Sequence, residues 1–255
     1  MENKVYGRPS SLNDKVNTYC PGCGHGVIQR LLAETIDEMG IAGNTIGVCY
    51  VGCGGMIYDF FNIDFAFPLH GRSPAVATGI KRVRPDKIVI GYQGDGDLAA
   101  IGTTEIIHAA TRGEKLTVIF VNNGIYGMTG GQMAPTTLIG QKAATCIHGR
   151  DSEYHGKPIR MAEMLSQLDG VCYAERVTID TPAHIRATKK AIKKGIENQI
   201  ENRGFSIIEV ISPCPVQWGL APNDAYKRIE KEVLPFYGLK KFKDTEDGER
   251  EAVNG

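Results

Sequence analysis

The chain has 255 residues, of which 42% are hydrophobic and 23% are charged, a composition that suits one large globular domain. Lysine plus arginine and aspartate plus glutamate each number 29, so the formal net charge is +0. Nothing therefore favours a nucleic-acid partner or an anionic membrane surface. The polar N-terminus lacks the apolar stretch of a secretion signal, and no segment approaches the roughly 20 apolar residues that span a bilayer. These features predict a cytoplasmic protein.

Strand-like and helix-like segments alternate along the chain, which is typical of an α/β fold with a largely parallel sheet. Apolar spacing and end signals predict helices at 24–39, from about Pro74 to before Pro85, at 101–112, and from Thr181-Pro182 onwards. Strands are predicted at 44–51, 87–93, 116–123, 171–178 and 205–211. A long glycine-rich loop follows at 124–137, and loops of this length are often functional. The charged tail from Lys240 is expected either to be disordered or to lie on a partner.

The clearest candidate site combines a glycine turn with a strand end. The turn GDGD, 94–97, follows one predicted strand, and the next strand ends in Asn122-Asn123. The carboxyl ends of parallel strands hold ligands, and a helix N-terminus favours phosphate. Asp95 and Asn123 would bring a carboxylate and an amide oxygen to one sheet edge, and a backbone carbonyl would complete half of an octahedral Mg²⁺ shell. The alternative is a plain turn with an Asn strand cap. A dinucleotide site would need GxGxxG, and a calcium loop would need further ligands.

Seven cysteines in a chain with no visible export signal argue for metal or redox chemistry rather than for disulfides. Cys20 and Cys23 form a CPGC motif before a helix, which is best interpreted as half of a metal site. Cys53, in a glycine-rich loop, and Cys214, between two prolines, are candidates for the other half. A zinc site would also satisfy four thiolates. No role is assigned to the remaining cysteines, of which two are expected to be buried in strands and one to lie in a loop: Cys49, Cys172 and Cys146.

The spacing from GDG to NN resembles the thiamine-diphosphate motif. Over roughly residues 15–220 the chain is similar to the β subunit of the 2-oxoacid:ferredoxin oxidoreductases. The resemblance rests on six motifs in the family's order: YCPGCGHG at 19–26, VGCGG at 51–55, LHGR at 69–72, GDGD at 94–97, NNGIYGMTGGQMAPTT at 122–137 and SPCP at 212–215. It implies a thiamine-diphosphate-binding domain over 1–220, with a parallel sheet, helices on both faces and an iron–sulfur site. A C-terminal helix and tail would occupy 221–255.

Several site residues follow from the resemblance alone. It implies that Asp95, Asn123 and the carbonyl of Ile125 bind Mg²⁺. The cofactor would be contacted by a larger set, of which four line the diphosphate (Gly96, Asp97, Gly127 and Met128) and the others are Val51, Gly52, Cys53, Gly54 and His70. His70 and Arg72 are the catalytic candidates: His70 would donate a hydrogen bond to phosphate, and Arg72 would orient its loop. The alternative for this pair is a local ion-paired turn. One [4Fe–4S] cluster would be bound by Cys20, Cys23, Cys53 and Cys214.

The resemblance further implies oxidative decarboxylation of a 2-oxoacid to acyl-CoA, with electrons passed through the cluster to ferredoxin. The chain would need an α-type subunit, which supplies a glutamate to thiamine, together with a γ-type and often a ferredoxin-like δ subunit. Some relatives have a lysine before Gly-Gln in the loop after NN, whereas this chain has Met128-Thr129-Gly130-Gly131-Gln132. The missing charge weakens 2-oxoglutarate as substrate and leaves 2-oxoisovalerate comparably placed. Two other functions stay open: a non-oxidative thiamine decarboxylase subunit without a cluster, and a zinc-stabilised binding module.

Overall fold

A computed structural model describes residues 7–246, which form a seven-stranded sheet flanked by helices. The strands are β1 (Thr45–Val48), β2 (Asp64–Ala66), β3 (Ile88–Gly94), β4 (Thr117–Asn122), β5 (Val171–Thr178), β6 (Phe205–Ile211) and β7 (Lys240–Asp244). Their order across the sheet is β2-β1-β3-β4-β6-β5-β7, and all neighbouring pairs are parallel except β5 with β7. The predicted α/β class is confirmed.

The α-helices are α1 (His25–Glu38), α2 (Ser73–Val83), α3 (Thr103–Thr111), α4 (Met161–Ser166), α5 (Pro182–Ile200), α6 (Pro215–Trp218), α7 (Pro222–Arg228) and α8 (Leu234–Tyr237). Short 3-10 turns lie at Ala42–Asn44 and Cys53–Asp59, and π-helical turns at Asp97–Ile101 and Ile229–Val233. Thr181 caps α5 as predicted, because its side chain accepts a hydrogen bond from the amide of His184. No helix within residues 7–246 has both the length and the apolar character needed to cross a bilayer.

Two apolar cores cover the opposite faces of the sheet. Ile119 of β4 belongs to the core that includes α1 and α5, whereas its neighbours Val118 and Phe120 belong to the core that includes α2, α3 and α4. All three side chains are at most 1% exposed. Alternate residues of a strand point to opposite faces, so a strand buried on both faces is apolar throughout. Helices therefore lie on both faces, as predicted, and the carboxyl ends of the strands are left for a ligand.

Three expectations about elements need correction. The strand predicted at 44–51 ends at Val48, because the chain then turns so that the hydroxyl of Tyr50 accepts a hydrogen bond from the amide of Gly54. Cys49 is fully buried, but it lies after the strand. The helical segment predicted at 101–112 starts earlier, with a π turn at Asp97. Residues 240–244, for which disorder was one expectation, form β7 on the edge of the sheet, while the tail over 247–255 lies outside the described residues.

Candidate functional site

The ends of β3 and β4 bring two predicted metal ligands to one place. Asp95 follows β3 directly and Asn123 follows β4. The amide of Ile125 donates to Oδ2 of Asp95 and to Oδ1 of Asn123, at 3.2 Å in each case. Since both oxygens lie within hydrogen-bond distance of the same N–H group, the carboxylate and the amide oxygen converge as the spacing of the motifs predicted.

Asp95 is held by hydrogen bonds on both carboxylate oxygens. The amide of Gly96 donates to Oδ1 at 2.8 Å, and the hydroxyl of Thr136 donates to Oδ2 at 2.7 Å. The side chain is almost completely buried, and this burial raises its pKa to about 6, although the hydrogen bonds act in the opposite direction. A buried carboxylate of this kind gains from a cation, because the cation replaces the solvation that burial removed.

A cavity of about 90 Å³ opens beside these two side chains. Most residues predicted to contact the cofactor or Mg²⁺ line it: Val51, Gly52, Cys53, His70, Asp95, Gly96, Asp97, Asn123, Ile125, Gly127 and Met128. The lining also includes residues that the sequence did not single out: His25, Tyr50, Gly94, Tyr126 and Thr129. One structural site therefore joins five of the six sequence motifs, those from YCPGCGHG to the NN loop.

Asp97 and His70 form a fixed pair at the wall of the cavity. Oδ1 of Asp97 lies 2.5 Å from Nδ1 of His70 and accepts the amide of Gly71 at 2.6 Å, while Oδ2 accepts the side-chain amide of Gln93 at 2.6 Å. The carboxylate of Asp97 is thus committed to the protein, and only its backbone remains for a diphosphate. The same contact orients the ring of His70, with Nδ1 engaged by Asp97 and Nε2 left for a ligand.

Two predicted site residues lie elsewhere. Arg72 forms an ion pair with Glu105, its side chain is 47% exposed, and it does not line the cavity. Arg72 therefore pairs with α3 and makes no contact with the cavity, and its expected role in orienting the loop of His70 stays a prediction. Gly54 also does not line the cavity. Its amide donates instead to the hydroxyl of Tyr50 at 3.0 Å.

Two of the predicted cluster ligands, Cys53 and Cys214, lie at this cavity, and Cys20 and Cys23 are near enough to interact with them electrostatically. Gly127, which lines the cavity, has no side chain, and a methyl group there would lie 3.4 Å from Sγ of Cys53 and 3.6 Å from Sγ of Cys214. Cys20 and Cys23 belong to one turn, in which the amide of Cys23 donates to the carbonyl of Cys20 at 3.0 Å. Glycine at 127 thus allows the sulfurs and the cavity to share a wall.

The thiols also influence each other electrostatically. Burial raises the pKa of Cys23 to about 11, and nearby charge on Cys53 and Cys20 adds to the effect. Burial raises the pKa of Cys214 to about 12, with further contributions from Cys23 and Cys53. Within residues 7–246 no three Cys, His, Asp or Glu side chains surround a single metal ion.

The three cysteines without an assigned role are all buried. Cys49, Cys172 and Cys146 are all less than 10% exposed, and each thiol donates only to a backbone carbonyl or lies beside a hydroxyl. All seven cysteines are free thiols.

A buried network behind the site was not visible in the sequence. Tyr237 of α8 donates its hydroxyl to the carbonyl of Thr136 at 2.7 Å, and Thr136 in turn donates to Asp95. Arg176 of β5 donates to the carbonyl of Tyr237 at 2.6 Å and pairs with Glu209 at 3.0 Å. Because these partners are far apart in sequence, no local motif announces them. Among the four supporting residues, only Thr136 lies within one of the six motifs; Tyr237, Arg176 and Glu209 do not.

The same buried layer reaches the second predicted metal ligand. Glu209 accepts the side-chain amide of Asn122 at 2.7 Å, and Asn122 directly precedes Asn123. The indole of Trp218 donates to the carbonyl of Asn123 at 3.1 Å. Asn123 is therefore fixed from both sides, through its neighbour and through its own carbonyl.

His25 is a further cavity residue that periodicity alone assigned to a helix. It is 2% exposed, and Nδ1 lies 2.8 Å from the hydroxyl of Tyr92. Burial lowers its pKa to about 4, so the ring is neutral at physiological pH. The signal that could have identified it is its place inside the motif YCPGCGHG, two residues after a predicted ligand.

The fold and the site define a thiamine-diphosphate-binding domain. The family described as "Thiamine pyrophosphate enzyme, C-terminal TPP binding domain" matches residues 50–210. The ketoisovalerate oxidoreductase subunit VorA of Methanothermobacter thermautotrophicus is 44% identical over 96% of this chain, which spans 53% of that protein. The 2-oxoglutarate synthase subunit KorB of Methanocaldococcus jannaschii is 38% identical, with 93% of this chain and 83% of its own length covered.

A solved structure agrees with these relatives. The 2-oxoglutarate:ferredoxin oxidoreductase from Magnetococcus marinus, with 2-oxoglutarate, coenzyme A and succinyl-CoA bound, superposes with a TM-score of 0.73 at 27% identity. The match covers 88% of this chain and 73% of that one. This chain therefore belongs to the thiamine-diphosphate-binding subunits of the 2-oxoacid:ferredoxin oxidoreductase family. It nevertheless spans only about half the length of VorA.

Proposed function

We propose that this chain binds Mg²⁺–thiamine diphosphate and a [4Fe–4S] cluster within a complex that converts a 2-oxoacid and coenzyme A to acyl-CoA and CO₂, with ferredoxin as electron acceptor. The observation that carries the proposal is the shared wall at Gly127. Cys53 lines the cavity beside Asp95 and Asn123, and Gly127 of the same lining lies against the sulfurs of Cys53 and Cys214. A cluster bound by these cysteines would therefore lie next to the cavity, and electrons released there would travel only a short distance to it.

The residues present fit a metal-bound diphosphate. Asp95, Asn123 and the carbonyl of Ile125 offer the hard oxygen ligands that Mg²⁺ prefers. The helical turn that begins at Asp97 would present backbone amides to phosphate, and Nε2 of His70 would add a donor when the ring carries both protons. When bound, thiamine diphosphate supplies the electron sink for loss of CO₂, and the cluster supplies one-electron acceptance. The protein's task is to hold these groups close together in a site shielded from water.

Cys20, Cys23, Cys53 and Cys214 would hold the cluster as thiolates. Because burial raises the pKa values of Cys23, Cys53 and Cys214, these thiols are protonated at neutral pH in the cluster-free chain. Assembly must therefore release protons, and it should be favoured by higher pH.

The cavity also supports a divided active site. Ligand pockets typically measure about 300–1,000 Å³, whereas this cavity is about 90 Å³, so most of the cofactor would lie beyond this chain's surface. Val51 and Met128 line the cavity and are 38% and 50% exposed, and Leu69, which precedes the lining residue His70, is 81% exposed. No glutamate lines the cavity within residues 7–246. An α-type subunit is proposed to cover this mouth and to supply the glutamate, with γ-type and ferredoxin-like subunits completing the complex.

The lining favours an apolar substrate side chain. No lysine or arginine from residues 7–246 lines the cavity, and Gly130 stands directly before Gly131-Gln132, where some relatives have lysine. A distal carboxylate would find no counter-charge from this chain. We therefore place 2-oxoisovalerate before 2-oxoglutarate as the substrate to test first.

The test uses the anaerobically assembled complex, assayed for iron, sulfide, bound thiamine diphosphate and reduction of ferredoxin by several 2-oxoacids. The variant Cys214→Ala should lose iron and acceptor reduction while it still binds thiamine diphosphate. Cys172→Ala, a buried thiol at the amino end of the strands, should behave as wild type. Release of CO₂ without coenzyme A and without iron would instead identify a non-oxidative decarboxylase.

A further inference from the structure

A second cavity, separate from the cofactor cavity, lies on the surface formed by α6, α7, the π turn at Ile229–Val233 and α8. It measures about 860 Å³ and shares no lining residue with the cofactor cavity. We call it the basic groove. Its lining combines apolar residues, among them Leu138, Trp218 and Phe236, with charged ones, among them Lys142, Arg228 and Lys231.

The charges of the basic groove do not balance. Lys227 pairs with Asp224, and Arg228 pairs with Glu232, each at 2.9 Å, so these four charges offset one another. Lys142 and Lys231 are exposed and have no carboxylate partner among residues 7–246. Two cations without an ion-pair partner in the described part of the chain, set among apolar lining residues, would complement an acidic surface.

Trp218 connects the basic groove with the proposed redox centre. Its ring lines the groove and lies 4.6 Å from the guanidinium carbon of Arg228. Its indole donates to the carbonyl of Asn123, and its amide donates to the carbonyl of Cys214 at 2.9 Å. One residue thus contacts the groove, a predicted Mg²⁺ ligand and a predicted cluster ligand. A protein bound in the groove would contact Trp218, whose amide is hydrogen-bonded to Cys214.

We propose that the basic groove is the docking surface for the acidic protein that takes electrons from the cluster. This inference rests on the proposed function. Oxidation of one 2-oxoacid to acyl-CoA and CO₂ releases two electrons, and a one-electron iron–sulfur carrier accepts one of them at each encounter. Each transfer oxidises the cluster of this chain by one electron and reduces the carrier by one, with no bond made or broken. The carrier therefore has to dock twice per turnover, which favours a surface whose attraction is electrostatic and reversible.

The test compares two acceptors on the assembled complex. Lys142→Glu/Lys231→Glu should raise the KM for an acidic ferredoxin by about tenfold or more at low ionic strength, with the difference shrinking as salt is added. Reduction of methyl viologen, a small dication that needs no docking surface, should stay within about twofold of wild type. The charge-matched control Lys157→Glu/Lys190→Glu changes two exposed lysines outside the groove and should leave both acceptors unaffected.

An unchanged KM for ferredoxin at low salt would overturn the docking proposal. So would a double variant that no longer assembles, because the groove would then be an interface between subunits. A wild-type complex that reduces neither ferredoxin nor methyl viologen would count against the proposed function. Calorimetric titration with ferredoxin would then still test the docking proposal, because the wild-type complex should bind ferredoxin and the groove variant should not.

Discussion

The hydroxyl of Thr136 should control how tightly the site holds Mg²⁺. It donates to Oδ2 of Asp95 at 2.7 Å inside a fully buried environment. Thr136→Val removes this donor and keeps the shape of the side chain. Loss of a partner that orients a metal ligand typically weakens metal binding by about 10–100-fold, which corresponds to roughly 1.4–2.8 kcal/mol.

The variant should also have a characteristic pH dependence. The hydrogen bond from Thr136 lowers the pKa of Asp95 and partly offsets the effect of burial, which holds that pKa at about 6. Without the bond the pKa rises further, so protons compete with Mg²⁺ near neutral pH. The defect of Thr136→Val should therefore shrink between about pH 7 and about pH 8.5, whereas wild type, already ionised at pH 7, should change little.

The assay is a Mg²⁺ titration of thiamine diphosphate binding to the assembled complex, followed by calorimetry at both pH values. Thr136→Ser keeps the hydroxyl and should bind Mg²⁺ nearly as wild type does. Tyr237→Phe, which removes the donor to the carbonyl of Thr136, should give a smaller defect in the same direction. Equal Mg²⁺ affinity in Thr136→Val and wild type at pH 7 would refute the idea that this contact positions Asp95.

Three further predictions concern other parts of the chain. The isolated chain should lose about 2 kcal/mol of stability between about pH 7 and about pH 5, because His25, with its pKa lowered to about 4, must stay neutral in the folded state while the unfolded state takes up a proton. Denaturant midpoints should show this loss disappearing in His25→Phe but not in His148→Gln, which changes an exposed residue. Met128→Lys should raise the ratio of kcat/KM for 2-oxoglutarate over 2-oxoisovalerate by about tenfold, and an unchanged ratio would place specificity in a partner subunit. Thr181→Ala should cost about 1 kcal/mol, measurable as a lower Tm, because α5 loses its N-cap.

The sequence predicted elements best where a local rule decides the outcome. β5 and β6 have the predicted bounds, and α5 begins at the predicted Thr181-Pro182 cap. Prediction failed where long-range contacts decide. Strand β1 ends early because Tyr50 reaches Gly54, and β7 forms because β5 has a free edge for it. Neither contact leaves a periodic pattern in the local sequence, so propensity alone could not identify them.

The residues of the candidate site also divide into those that the local sequence identifies and those that only the folded structure identifies. Motifs identified the groups that would touch a ligand, because a carboxylate, an amide oxygen or a thiolate is required by the chemistry and stands in a recognisable turn. Arg72 shows the limit of this reasoning: it lies in a motif, yet its charge is neutralised by Glu105 outside the cavity. Residues that position the ligands were missed, since any well-placed hydroxyl or amide could serve and position depends on the whole fold.

The motifs end at residue 215 and therefore suggested a domain boundary at residue 220. Hydrogen bonds and ion pairs nevertheless connect the residues on the two sides of that position. Tyr237 lies 101 residues after Thr136, yet its hydroxyl supports the loop that holds Asp95. Arg176, completely buried, joins Tyr237 to Glu209 and so to Asn122, which precedes Asn123, the second proposed metal ligand. A buried guanidinium is costly unless its partners are complete, so removal of α8 would leave Arg176 short of a partner as well as loosening the loop at Thr136. The C-terminal segment is therefore a structural part of the cofactor site, although no motif within it indicates that role.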